Sequence, residues 1–94
     1  MSYSLEVENR LLDELKKLYN KNRLIHDRVR KKMEEIVANP HSYKPLRNVM
    51  RGERRVHIGH FVLTFIITEN EKVVRFLDFD HHDNIYRKRF GMRK

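Results

Sequence analysis

Two short stretches of this 94-residue chain hold residues that could cut a phosphodiester. Arg55 and His57 alternate in a strand-like segment, and His82 and Tyr86 follow a later one, within Asp80-His81-His82-Asp83-Asn84-Ile85-Tyr86. Cleaving RNA without a metal needs a base for the ribose 2′-hydroxyl proton and an acid for the departing 5′-oxygen. It also needs cations around the crowded phosphorane between them. Histidine suits both proton transfers because its unperturbed pKa lies near about 6.5. Arginine presents a planar fork that matches two phosphoryl oxygens at once. Tyrosine can stack on a base or donate a hydrogen bond. Arg55, His57, His82 and Tyr86 therefore form the candidate catalytic set, with His82 between two carboxylates as the leading acid-base group.

The chain around them is basic. Lys and Arg total 21 against 13 Asp and Glu, a formal net charge of +8. Bound cations release the counterions condensed on phosphates, so this surplus favours a polyanionic partner, either nucleic acid or an acidic protein. Lys44, Arg47, Arg51, Arg54, His60, Arg87 and Lys88 are the groups expected to hold RNA. Taken singly, each candidate has an ordinary explanation. A histidine in a basic protein is often a solvated surface group, Tyr86 could be a core aromatic with a wet hydroxyl, and surplus charge can serve solubility alone.

Other chemistries find less support. His57-x-x-His60 and Asp80-His81-His82-Asp83 offer metal-ligand types, but alternation and Gly59 leave the aim of His57 and His60 open. The spacing is no helical zinc motif, so neither a metal nor a cofactor is expected. With no cysteine, disulfides and Cys-ligated zinc are excluded. Glycine occurs only at Gly52, Gly59 and Gly91, which makes no phosphate-cradling loop, and no Ser or Cys sits in a nucleophile elbow. No apolar run approaches the ~20 residues that span a bilayer. The opening MSYSLEVENR is acidic and polar where a signal peptide would be basic and then apolar, so a cytoplasmic protein is expected.

The elements that must position these residues can be read from periodicity. Tyr3 to Val7 alternates like a short strand. From Glu8, Leu11, Leu12, Leu15, Leu18 and Tyr19 form a helical stripe that ends near Asn20-Lys21-Asn22. A second stripe, Ile25, Val29, Met33, Ile36 and Val37, stops before Pro40. Its outer face carries Arg28, Arg30, Lys31 and Lys32, which could suit a membrane surface, but the apolar stripe is better used to cover a sheet. Asn39 to Gly52 is irregular. Strands are expected at Arg54–Ile58, His60–Thr68 and Lys72–Phe79, with Gly59 as a turn or bulge and Glu69-Asn70-Glu71 as the next turn. The tail from Asn84 to Lys94 reads as a short strand or helix with a frayed end. These make one α+β domain over residues 1–94: an N-terminal strand and an antiparallel helical hairpin packed on a small, mainly antiparallel sheet.

Alternation assigns Val56, Ile58, Phe61, Leu63, Phe65 and Ile67 to the face beneath the helices. Arg55, His57, His60, Val62 and Thr64 then fall on the opposite, open face. Alternation fails along Val73 to Phe79, as expected of an interior strand covered on both sides. Val62 and Thr64 have no evident cover, so an exposed apolar surface is expected there, to be covered by a partner's helix or extended segment.

The chain resembles the RelE/ParE superfamily of toxins, and more closely its RelE-type ribonucleases. The resemblance covers nearly the whole chain: strand, two helices, Lys44-Pro45-Leu46-Arg47, then three strands. Its most specific parts are Arg54-Arg55-Val56-His57-Ile58-Gly59 and His81-His82-Asp83-Asn84-Ile85-Tyr86, the latter similar to the family's closing His-Arg-x-x-(Val/Ile)-Tyr pattern. The resemblance implies a type II toxin that cuts mRNA on the ribosome without a metal, leaves a cyclic phosphate and is neutralised by a RelB-like antitoxin. It places Arg55 and His57 among the family's basic residues on the open face, and Tyr86 at its C-terminal tyrosine. Two positions depart from the pattern. Val62 stands where many relatives have an arginine that would stabilise phosphate, and His82 stands where many have Arg, although relatives resembling YafQ use histidines in comparable places. The alternatives are a ParE-like or degenerate toxin that binds a protein without cutting RNA, and a plain basic RNA-binding module.

Overall fold

The computed structural model describes residues 3–43 and 52–90, so Lys44, Arg47 and Arg51 lie outside the described residues. In chain order the elements are β1 (Ser4–Val7), α1 (Asn9–Lys21), α2 (Arg23–Ala38), a single 3-10 turn (Pro40–Ser42), β2 (Arg54–Ile58), β3 (Phe61–Thr68), β4 (Val73–His81) and α3 (His82–Phe90). The expected elements are all present, and the chain is α+β. The strands form one sheet in the order β1-β4-β3-β2, with β1 parallel to β4 and the other pairs antiparallel.

The helical hairpin turns on one residue. Asn22 returns its backbone N–H to the Leu18 carbonyl at 2.7 Å, ending α1, while its side-chain oxygen accepts from Ile25 N at 3.2 Å, starting α2. An N-cap of this kind is worth about 1 kcal/mol. Leu11 from α1 and Val29, Met33 and Ile36 from α2 are buried against Ile58, Leu63, Phe65, Val74 and Phe76 from the sheet. Leu12 and Tyr19, at the margin of the α1 stripe, stay largely exposed. No helix among the described residues is long and apolar enough to cross a membrane.

The sheet is closed at one end by a two-residue turn, Gly59-His60, with Gly59 at φ +62, a backbone region costly for residues bearing a Cβ. Between β3 and β4 the register steps from Thr64↔Asp78 to Phe65↔Phe76, so Leu77 is an extra residue on β4. This bulge resets the alternation. Phe79 before it and Phe76 and Val74 beyond it can all join the one core, which is why Val73 to Phe79 lacks a simple period. At the outer edge, Arg75 donates from Nη1 to Glu6 at 2.7 Å and from Nε to Glu8 at 3.1 Å, fastening β1 to β4.

The open face is not open in the way alternation suggests. Val62 and Thr64 do share a face with His57 and Arg55, their partners in register, but both are fully buried. The cover is α3, which packs on β3 and β4 and buries Ile85 completely. Lys88 fixes that helix from its far end, reaching Asp78 at 2.8 Å and Asp80 at 3.2 Å, and Asn84 donates to Asp80 at 3.1 Å. The expected exposed apolar surface lies elsewhere: a cleft of about 540 Å³ between β1, α1 and α2, whose walls include Leu5, Leu12, Leu15, Tyr19 and Met33.

Candidate functional site

Beside α3, at the hairpin end of the sheet, four of the sequence-selected residues come into one contiguous group. Arg55 and His57 project from alternate positions of β2, so they share a face. His82 is the first residue of α3, and its backbone N–H donates to the His60 carbonyl at 3.1 Å. That bond holds the helix start against the β2–β3 turn. Tyr86 follows one helical turn later, so its ring meets His82 with centroids 4.6 Å apart. The imidazoles of His57 and His82 stack at 5.6 Å with 26° between their planes.

Arg55 Nη1 lies 3.1 Å from His57 Nε2. A guanidinium nitrogen only donates, so Nε2 accepts and the ring is neutral, with its proton on Nδ1. The electrostatics agree. The His57 pKa is lowered from its ordinary value, first because part of the ring is withdrawn from water, then by the Arg55 charge and by His82. His82 Nδ1 stands 3.4 Å from an Asp83 carboxylate oxygen, a longer and weaker contact. The Asp80 carboxylate is held below its ordinary pKa. Its burial acts in the opposite direction, and the contacts from Asn84, the His81 backbone and Lys88 prevail.

Arg55 has a second property. Its Nε is buried and has no hydrogen-bond partner among the described residues. An unsatisfied buried donor costs free energy, so this guanidinium keeps one N–H that an arriving acceptor oxygen would satisfy.

Of the other expected RNA-holding groups, His60 is exposed in the turn, where it lines a shallow depression with His57, Gly59, His81, His82 and Asp83. Arg87 is exposed on α3 and donates to Asn84 at 2.9 Å. Arg54 sits in register with Phe65, on the core side, and donates to the Tyr43 carbonyl at 2.7 Å. The Lys88 ammonium is engaged by Asp78 and Asp80. Arg54 and Lys88 thus each tie parts of the scaffold together. No group of three or more acidic or histidine side chains converges as a metal-binding set among the described residues.

Sequence reasoning passed over the ring next to this depression. His81 and Phe61 are partners in register, and their rings lie 4.5 Å apart. Phe61 in turn stacks on Phe79 at 4.9 Å and 12°. Phe61 reads as a core residue in the sequence, and only the β3–β4 register brings His81 onto it.

Comparisons with known proteins agree with one another. The family model described as the ParE toxin of type II toxin-antitoxin system, parDE, matches residues 5–86. A protein of Methanocaldococcus jannaschii named "Putative toxin RelE4" is 48% identical over 88 residues, covering 93% of this chain and 94% of its own. An uncharacterized protein of Methanosarcina mazei is 42% identical over 85 residues, covering 89% of this chain and 99% of its own. Among solved structures, a double-arginine mutant of the E. coli toxin RelE in the free state matches with a TM-score of 0.75 at 21% identity, covering 97% of each chain. The RelBE2 toxin-antitoxin complex of Mycobacterium tuberculosis matches with a TM-score of 0.73 at 23% identity, over 87% of this chain and 100% of that one.

Proposed function

Because this chain belongs to the ParE toxin family of type II toxin-antitoxin systems, and is a RelE-type member of the RelE/ParE superfamily, we propose that it cuts mRNA on the ribosome and thereby stops translation. The observation that carries this reading is the contiguous group Arg55, His57, His82 and Tyr86. It supplies a neutral imidazole, a second imidazole stacked on it, a guanidinium cation and an aromatic ring within one site.

The chemistry follows from those states. An incoming phosphate draws Arg55 away from His57 and so frees Nε2, the only lone pair of a neutral ring protonated on Nδ1. Nε2 takes the ribose 2′-hydroxyl proton and the 2′-oxygen attacks phosphorus. The P–O5′ bond breaks, and His82, protonated, gives its proton to the leaving oxygen. The products are a 2′,3′-cyclic phosphate and a free 5′-hydroxyl, and no metal enters the step. Arg55 on the equatorial oxygens stabilises the phosphorane, as preorganised cations do wherever charge develops. Tyr86 packs on the His82 ring and fixes its orientation.

The partner proposed is a RelB-like antitoxin in the same cytoplasmic compartment. Membership of a toxin-antitoxin family supports it, and so do relatives in fold that were solved as RelB complexes. Induced expression tests the enzymatic reading: ribosome-bound messages should carry cuts within their coding regions, each with a cyclic phosphate end.

One observation favours a second reading. Val62 is fully buried, so the middle of β3 offers RNA no cation where many relatives have arginine. A toxin that arrests growth by binding a protein, without cutting RNA, would leave ribosome-bound message intact under an otherwise toxic dose.

A further inference from the structure

Three rings form a column on the helix-covered face of the sheet, and its outer end reaches the hairpin end where the candidate site lies. Phe79 and Phe61 lie almost parallel, 12° apart with centroids at 4.9 Å. Phe61 and His81 follow at 4.5 Å and 30°. Phe61 lies between two β4 residues, directly opposite His81 in register and diagonal to Phe79. The two phenylalanines are half-buried, whereas His81 is exposed and lines the same depression as His57 and His82. The column therefore ends in a flat polar ring at the rim of the place where a phosphodiester would be handled.

Packed on its register partner Phe61, His81 forms a cross-strand ring pair of modest stabilising worth. An exposed imidazole removes little apolar area from water. Its backbone N–H is already taken by the Asp80 carboxylate at 2.7 Å, and that bond does not depend on the side chain. What the arrangement does supply is preorganisation. Register and the Phe61 ring restrain the His81 imidazole before any ligand arrives, so a flat group adding to the column loses less conformational freedom. Nucleobases are such groups, and every base has a face that stacks on aromatic side chains.

We propose that His81 is a stacking shelf for one unpaired nucleobase of single-stranded RNA, the base next to the phosphate held between Arg55, His57 and His82. Phe61 and Phe79 are its positioning residues. The proposal rests on the ribonuclease reading for its choice of ligand, but it concerns binding and not the chemical step. Because stacking reads area and not hydrogen-bonding edges, the shelf accepts every base and holds purines more tightly than pyrimidines.

The probe is a set of short single-stranded RNAs with 2-aminopurine at successive positions, every ribose 2′-O-methylated so that no strand is cut. These are titrated into the protein alone and placed in messages on ribosomes. At one position the unmodified protein should quench the 2-aminopurine fluorescence. His81→Phe, which keeps a flat ring, should quench as well. His81→Ala should abolish that quench and weaken binding roughly 5- to 150-fold, the range expected for losing one base–aromatic stack. His81 is exposed, so the fold should tolerate both substitutions, and circular dichroism checks this. The idea fails if His81→Ala binds and quenches like the unmodified protein, or if the unmodified protein quenches at no position in either setting. Cleavage of unmethylated message, run in parallel, separates the two readings. A quench without cleavage removes the nuclease and keeps the shelf, whereas cleavage with an indifferent His81→Ala removes the shelf and keeps the nuclease.

Discussion

His57 on β2 and His82 at the start of α3 stack with ring centroids 5.6 Å apart, and Arg55 holds the outer nitrogen of the first ring at 3.1 Å. Two imidazoles this close resist being charged together, and Arg55 adds a fixed positive charge on the His57 side. Both effects favour the neutral form of the His57 ring.

The first prediction follows from that asymmetry. Burial first, and then the Arg55 charge, lower the His57 pKa, so removing that charge should raise it toward the ordinary value. In Arg55→Gln, NMR titration of the His57 ring should show its midpoint moving to higher pH. If His57 is the base proposed above, the acid limb of the unmodified protein's cleavage profile should fall below about 6.5, since its ring stays neutral to lower pH than a free histidine. A His57 midpoint unchanged by Arg55→Gln would remove the 3.1 Å contact as a working interaction.

The second prediction ranks the histidines. General acid-base assistance is worth ~10²–10⁴-fold in rate, so His82→Ala and His57→Ala should each lose most single-turnover cleavage on programmed ribosomes. Both should keep folding and antitoxin binding. His26 contacts Asp27 and Tyr19, and His41 contacts Glu69 and Tyr3, so neither touches the candidate site. Their alanine variants should cut at nearly the unmodified rate. A His82→Ala rate equal to that of the unmodified protein would assign the acid to the wrong residue.

Features governed by local periodicity were legible in the sequence. The apolar stripes placed α1 and α2, Pro40 ended the second, and alternation put Arg55 and His57 on one face. What stayed hidden depends on register between distant strands. The Leu77 bulge is set by the pairing of β3 with β4, and without it Val73 to Phe79 cannot be oriented. The His81–Phe61 contact has the same origin. The cover over Val62 and Thr64 was missed because α3 is short and strongly basic. Among the residues whose burial is described, only Ile85 is fully buried, which gives no stripe to recognise. Arg54 reads as one more surface cation, and only its partner Phe65 reveals that it faces the core side.

That cover gives the third prediction. Ile85 is fully buried on the face carrying Val62 and Thr64, separate from the main core. Truncating a buried isoleucine to alanine costs about 2–5 kcal/mol, the spread reflecting how far the site can collapse. Ile85→Ala should therefore lower the denaturation midpoint and release α3, whose other ties to the sheet include the Lys88 ion pairs with Asp78 and Asp80 and the Asn84 hydrogen bond. Because α3 carries His82 and Tyr86, cleavage should fall as well. Hydrogen exchange would resolve the order, with α3 amides losing protection before those of β3 and β4. Uniform loss across all three elements would mean that α3 and the sheet open as one unit.

The last prediction concerns the opposite end of the sheet, where Glu69 joins three elements. One carboxylate oxygen accepts from the Tyr3 hydroxyl at 2.6 Å and from Lys72 at 3.0 Å, and the other lies 2.9 Å from His41 Nε2. Tyr3 precedes β1, His41 belongs to the turn after α2, and Glu69 and Lys72 flank the β3–β4 turn. These contacts, the Tyr3 hydrogen bond first, then those from Lys72 and His41, lower the Glu69 pKa to about 2. A carboxylate depressed in the folded state contributes stability above its unfolded pKa, near about 4.3, and loses it as pH falls through the folded value. Other carboxylates titrate in the same range, so the informative quantity is the difference from Glu69→Gln. At neutral pH the unmodified protein should melt at the higher temperature. The gap should narrow from about pH 4.3 downward and close near pH 2. A gap that stays constant across that window would show that the carboxylate's charge does not hold these elements together.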